Sequence, residues 1–292
     1  MSFLKLEILI LIWKYNKVTT VANKLGIKQP TVTFHMKSLE KLLKTKLFEY
    51  EGGYITLTES GTILLHYAKK IISLKSEVER AVYEFNSFEI GSLKIGASYV
   101  PATYLIPDIL KKMKIGSHKI NMSLTVLPSS KTVQMILNNN LDVGIICSTG
   151  LINSSIEYKK IYEDELGIIF SNKSSLNKYN YIPESVFEKE TFVHHTELSS
   201  TRALVDKWIK IREIEFKATI QMDSLEAIKQ VVMSTDWISI ISRKAVEKEI
   251  ERGELIFKSI YGGNIKRNIY IIYNKDKWIS PIMRRFLEIC TS

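Results

Sequence analysis

Six side chains within ten residues, Lys28, Gln29, Thr31, Thr33, His35 and Lys37, set an amide, two hydroxyls, an imidazole and two ammonium groups along one short stretch. Such groups hydrogen-bond base edges and phosphates when a helix carries them into the major groove of DNA. Other chemistries find less support. There is no Gly-rich phosphate loop, nucleophile elbow or paired-carboxylate motif, so an enzyme is not expected. His194 and His195 are consecutive at the end of an extended run and point to opposite faces, which argues against a shared metal. Cys147 and Cys290 are the only cysteines and lie far apart, so no disulfide framework or zinc knuckle is expected. Cys147 ends an apolar run and reads as a packed thiol, with a redox role left open. No cofactor and no metal are expected.

A helix is needed to present that polar set. Leu4, Ile8, Leu11, Ile12 and Tyr15 recur at helical spacing and predict a first helix ending near Asn16. Thr19 or Thr20 can cap a second, with Val21, Ala22 and Leu25 on one face. Gly26 follows where a tight turn needs positive φ. Pro30 fits only the first turn of a third helix, running to about Leu43 with Val32, Met36, Leu39 and Leu43 facing inward. Two alternating runs, Leu47–Tyr50 and Tyr54–Leu57, then flank Gly52-Gly53 and read as a hairpin placed as a wing. The plain alternative is an α+β domain whose polar helix face is merely solvated.

In the order VTTVANKLG, QPTVT, Leu39-Glu40, Leu47-Phe48 and LTESG, the segment resembles the winged helix-turn-helix of LysR-type transcriptional regulators. The resemblance assigns DNA contacts to Lys28, Gln29, Pro30, Thr31, Thr33, Phe34, His35 and Lys37, and to the wing turn Gly52-Gly53. Three positions depart from the pattern. Lys28 replaces a small hydroxyl, Lys44 replaces a Gly, and Tyr50 replaces the Arg that follows Leu-Phe-Glu.

Length and charge fit this without deciding it. The 292 residues suggest two or three domains, and 45% apolar with 25% charged residues describes a folded protein. The net charge of +10 is spread along the chain. Residues 1–90 hold 13 Lys/Arg against 9 Asp/Glu, and residues 91–292 hold 28 against 22. The N-terminal run LEILILIWKY falls short of the ~20 apolar residues of a membrane span, and no small-residue cleavage site follows, so no membrane partner and a cytoplasmic location are expected.

From Glu59 to about Phe88 there is no Pro and only Gly61, in the first turn, with Thr58 as the expected N-cap. Leu64, Ala68, Ile71, Val78, Val82 and Phe85 alternate four- and three-residue steps, with Lys75 a polar break. This is either a coiled-coil seam or an amphipathic helix packed on its own chain. The resemblance implies dimerisation through this helix, hence a homodimer or homotetramer.

The rest alternates strand and helix: GSLKIGAS, YLIPDILKKMK, KINMSLTVLPSS, TVQMILNNN and LDVGIICS, then a second series from LGIIFSN through TFVHH, TRALVDKWIKI, KATIQM, SLEAIKQVVM and WISIIS, closed by NIYIIYN and SPIMRRFLEI. That order predicts two doubly wound α/β lobes with a cleft at strand carboxyl ends. It resembles the two-lobed, periplasmic-binding-protein-like effector domain of the same family. The expected fold class is therefore α/β multidomain: a winged helix-turn-helix over 1–58, a linker helix over 59–90 and an effector-binding domain over 91–292. Lobe I takes 91–163 and 267–292, and lobe II takes 164–266.

Carried over by that resemblance, the effector loops fall at Ser98, Tyr99 and Val100, at Ser129, and at Ser199, Ser200, Thr201 and Arg202. Hydroxyls and backbone N–H groups at a helix N-terminus suit an anion. Arg202 either adds a bidentate carboxylate contact or pins its loop; the hydroxyls are either ligand contacts or ordinary N-caps. Where the family carries a Gly-rich turn this chain has Thr235-Asp236-Trp237, and Asp236 and Trp237 are expected either to narrow the cleft or to alter what binds. The expected function is a sequence-specific regulator of transcription that binds double-stranded DNA and a small anionic effector. The alternative is an α/β solute-binding or enzymatic protein with an N-terminal assembly module.

Overall fold

A computed structural model describes all residues except 87–89, 114–118, 149, 151–152, 198, 260–264 and 292. The chain forms two compact units, Met1–Phe88 with Asn138–Asn140, and Glu89–Leu137 with Leu141–Ser292.

The first unit contains α1 (Phe3–Tyr15), α2 (Val18–Leu25), α3 (Gln29–Leu43), β1 (Phe48–Glu51), β2 (Tyr54–Leu57) and α4 (Glu59–Asn86). Its core is built from one stripe of each helix: Leu6, Leu9 and Ile12 of α1, Val21 and Ala22 of α2, and Val32, Met36 and Leu39 of α3. Burying each large side chain contributes on the order of 1.5–3 kcal/mol. Of the residues at the expected α1 spacing, Ile8 and Ile12 are buried and Leu4, Leu11 and Tyr15 half-buried, while Leu6 and Leu9 complete the buried stripe. Leu43 is 41% exposed, because α3 ends there and Lys44 turns the chain with φ 53°. No threonine caps α2. Lys17 holds the N-cap position without a side-chain bond, and both threonines lie inside the helix. Gly26 has φ 65° and closes α2 by donating to Ala22 and Asn23 carbonyls.

The wing turns through Gly52 and Gly53, φ 55° and 82°, the pair of positive values that a two-residue hairpin requires. Thr58 caps α4 by accepting from Gly61 N at 3.0 Å, and its hydroxyl donates to Lys46 O at 2.8 Å. A Cβ on Gly61 would collide with the Leu47 carbonyl, so this position tolerates no side chain. The seam on α4 divides. Leu64, Ala68 and Ile71 pack into the core of their own unit, whereas Val78 and Val82 stand exposed, along with Ile63, Tyr67 and Leu74. The side chain of Phe85 lies outside the described residues.

In the second unit, one lobe carries β3 (Ile90–Ala97), α5 (Tyr99–Tyr104), α6 (Ile106–Met113), β4 (Lys119–Val126), α7 (Ser129–Leu137), β5 (Val143–Ser148) and the start of β6 (Ile156–Ser171). The other carries α8 (Glu184–Phe187), β7 (Thr191–His195), α9 (Ser200–Arg212), β8 (Ala218–Met222), α10 (Leu225–Ser234), β9 (Ile238–Ser242), α11 (Glu247–Glu251) and β10 (Leu255–Lys258). β11 (Ile265–Asn274) returns to the first lobe and α12 (Pro281–Thr291) covers it. The strand order is β4-β3-β5-β11-β6-β9-β7-β8, with β10 on β6. β3 pairs parallel with β4 and β5, and β7 with β8 and β9. The antiparallel strands β6 and β11 run from one lobe into the other.

Two elements differ from expectation. The helix expected over YLIPDILKKMK is α6, preceded by a short helix not expected from sequence, α5, which ends at Tyr104 because Pro107 fits the first turn of α6 but not the interior of a continuous helix. β6 begins at Ile156, ten residues before the expected strand, and its charged first half alternates out of the core.

Candidate functional site

The outward side of α3 is built by the inward one. With Val32, Met36 and Leu39 held in the core, the 100° step per residue turns Gln29, Pro30, Thr31, Phe34 and Lys37 to solvent. Lys28, at the N-cap, is also exposed; Thr33 and His35 flank this face and are half-buried. Phe34 is 66% exposed, and its ring meets His35 edge-on at 5.6 Å. The helix is fixed from behind. Glu40 Oε1 accepts from Leu47 N at 2.9 Å and Phe48 N at 3.3 Å, tying α3 to β1. Ile55 N donates to Asn16 O at 2.9 Å, tying the wing to the end of α1. Gly52 and Gly53 are exposed at the wing tip. Tyr50 supplies no cation there, but Lys17 does, with its ammonium 4.9 Å over the Tyr54 ring. That cation was hidden from sequence reading because 37 positions separate the pair.

In the second unit, a small cleft open to solvent lies between the lobes. Ser98, Tyr99, Val100 and Ser129 line one wall, and Ser199, Ser200 and Thr201 the other, joined by Cys147, His195, Asp223 and Arg267. Ser98 Oγ accepts from Cys147 N at 3.2 Å, and Ser129 Oγ donates to Cys147 O at 3.0 Å. Burial pushes the Cys147 thiol above its ordinary value, so the sulfur is a neutral thiol. Ser199 is the N-cap of α9 and accepts from Thr201 N at 3.2 Å.

Arg202 does not line the cleft. Its Nε donates to both oxygens of Asp206, at 2.6 and 2.7 Å, and its Nη1 donates to His195 O at 3.0 Å and contacts His194 Nδ1. It pins the β7–α9 junction, the second of the two readings open from sequence. Asp236 and Trp237 are likewise not among the lining residues. Asp236 acts on Glu190, and Trp237 packs against the core formed by α10 and β9. The acid at the cleft is Asp223.

The cation at the cleft is Arg267, which sequence reading missed. It is 3% exposed on β11, directly across from Asp164 of β6, and its Nε donates to Asp164 Oδ2 at 2.8 Å. Ser242 Oγ holds the other carboxylate oxygen at 2.6 Å. Arg267 Nη1 donates to Thr201 Oγ1 at 2.9 Å and Ser200 Oγ at 3.3 Å, so the hydroxyls of α9 are oriented by a buried guanidinium. Burial, then the charge of Arg267, pushes His195 down to about 4, and its imidazole is neutral at pH 7. Among the described residues no group of three or more His, Cys, Asp or Glu could hold a metal, and no helix is long and apolar enough to cross a membrane.

Residues 3–62 match the bacterial regulatory helix-turn-helix of the lysR family, and residues 87–292 match the LysR substrate binding domain. The chain belongs to the LysR family. It is a DNA-binding transcriptional regulator with an effector-binding domain. Among its relatives in that family, a "Probable RuBisCO transcriptional regulator" from Trichormus variabilis is 30% identical over 272 residues, spanning 91% of this chain and 81% of that one. Full-length CbnR, solved with its target DNA, superposes with a TM-score of 0.70 at 22% identity, covering 99% of each chain. The regulatory domain of Synechocystis CcmR, solved in complex with 2-PG, superposes with a TM-score of 0.61 at 24% identity over 69% of this chain and 96% of that one. At these identities the likeness to the two solved structures is one of fold.

Proposed function

We propose that this LysR regulator reads a specific operator with Lys28, Gln29, Pro30, Thr31, Thr33, Phe34, His35 and Lys37 of α3, with the wing turn Gly52-Gly53 on the neighbouring backbone. The protein works in the cytoplasm without catalysis, with residues 1–58 as the reader, 59–90 as the linker and 91–292 as the effector domain. The observation that carries this is the free outward side of α3: hydrogen-bonding and apolar groups stand in solvent on a helix locked from behind. The exposed stripe Ile63, Tyr67, Leu74, Val78 and Val82 on α4 supports a homodimer or higher homo-oligomer, which pairs two readers on a near-palindromic site. A small anionic metabolite in the cleft of the second unit shifts the regulator by binding one lobe arrangement more tightly than another. Support for the anion comes from the α9 N-terminus and Arg267; the CcmR domain solved with 2-PG is a precedent in a protein of the same fold.

Gel shifts on operator and scrambled DNA test the reader. Gln29→Ala and Thr33→Ala should weaken operator binding selectively, while Lys28→Ala weakens both and lowers the salt slope by about one. Equal losses on both DNAs for all three variants would count against base reading.

A further inference from the structure

Two cleft-lining side chains end in a buried nitrogen that has no hydrogen-bond partner among the described residues: Arg267 Nη2 and His195 Nε2. Buried polar atoms of this kind are costly to leave unmet, and two in one cleft call for an occupant. The rest of Arg267 is committed, with Nε on Asp164 and Nη1 on Thr201 and Ser200. A guanidinium so engaged cannot grip an oxyanion with its two-nitrogen fork. It offers one nitrogen to one oxygen, and the second oxygen needs another donor. His195 Nε2 is the unpartnered group on the same cleft.

We propose that Arg267 Nη2 and His195 Nε2 jointly bind a single carboxylate group of the effector. This rests on the effector reading above and narrows it from an anion to a monocarboxylate. The charge around the pair sets that limit. Arg267 is already paired with Asp164, and Asp223 adds a negative charge to the lining. One carboxylate is met by the two N–H donors and the N-terminus of α9; a second negative charge would find no unpaired cation among the lining residues. His194 is held below its ordinary value by burial and by Arg202, and adds no charge at pH 7. Asp223 suits a hydroxyl or ammonium elsewhere on the ligand. His195, neutral, donates from Nε2 as the N–H tautomer.

The test uses the full chain with ¹⁵N-labelled imidazoles and three probes at equal ionic strength: glycolate, its neutral analogue glycolamide, and inorganic phosphate. Glycolate should move the His195 Nε2 resonance saturably and glycolamide should not. Arg267→Lys keeps a cation opposite Asp164 but removes Nη2, and should weaken glycolate roughly tenfold, the scale of one charge-assisted hydrogen bond. His195→Gln, which keeps an amide donor, should retain more affinity than His195→Leu; both leave the Arg267–Asp164 pair in place. A shift with phosphate but not glycolate overturns the monocarboxylate and leaves the anionic effector standing. Thermal stabilisation by glycolate with an unmoved His195 signal overturns the paired site alone. No response to any probe overturns the proposal outright.

Discussion

The two proposed binding surfaces of this regulator are built on opposite principles. On the proposed DNA face Lys28, Gln29, Thr31 and Lys37 stand exposed, with Thr33 and His35 half-buried at its edges, while Val32, Met36 and Leu39 hold the helix from below. In the cleft the polar groups are woven into the fold: Arg267, Asp164, Ser242, Thr201 and Ser200 form one buried network across three strands and a helix. A reader of DNA can afford separation of binding from stability, because its ligand supplies all the partners. A cleft that must be shaped before its ligand arrives cannot. Substitutions on α3 should therefore change affinity and leave folding alone, while those in the cleft should change both.

The largest effect expected is on the buried pair. Asp164→Ala strands the Arg267 guanidinium and should cost about 3–5 kcal/mol of the second unit's stability, read from urea unfolding. A loss under 1 kcal/mol would mean water reaches the pair, and the contrast between the surfaces would weaken. Acid should strike the same region next. His195 has a folded value near 4 against an ordinary 6.5, so between those values the unfolded chain binds more protons than the folded one. Its contribution is complete above pH 6.5 and is lost as pH falls towards 4, at most about 3 kcal/mol. His195→Gln should flatten that part of the stability–pH curve, and an unchanged curve would remove His195 from the account.

On the other surface, Gln29→Ala should leave the melting temperature unchanged and cost about 1–3 kcal/mol of discrimination at one base pair per half-site, measured by binding to single-base operator variants. The smallest effect sharpens the comparison from within the first unit. Lys44 holds φ 53°, a conformation that costs a residue with a Cβ and not glycine, so Lys44→Gly should stabilise that unit by roughly 0.5–1 kcal/mol in thermal unfolding while operator affinity stays the same.

These differences also explain what could be read from sequence. The helices, Gly26, Pro30 and the Gly52-Gly53 wing were legible because each is set by neighbours within a few positions, and α3 ends at Leu43 as its periodicity indicated. The seam on α4 was only half legible. Periodicity marks an apolar face without saying whether its own unit covers it, and here Leu64 and Ala68 are covered while Val78 is not. Arg267 was illegible for a different reason: its partners Asp164 and Thr201 lie 103 and 66 residues away, and only the register of β11 on β6 brings them together. Locally Arg267 sits between Lys266 and Asn268, just before the apolar run IYIIY, and nothing in that setting marks it as a residue that is buried and paired. Arg202 misled because its position beside Thr201 resembles a ligand contact, while Asp206, one helical turn on, claims its charge.

The central claim is that the outward side of α3 enters the major groove. It is tested most directly by replacing each thymine of a bound operator with uracil, which removes only a methyl group that projects into that groove. With Phe34 exposed on this face, the intact chain should lose affinity at one thymine in each half-site, and Phe34→Ala should erase that sensitivity. Affinity indifferent to every such replacement, in both proteins, would contradict it.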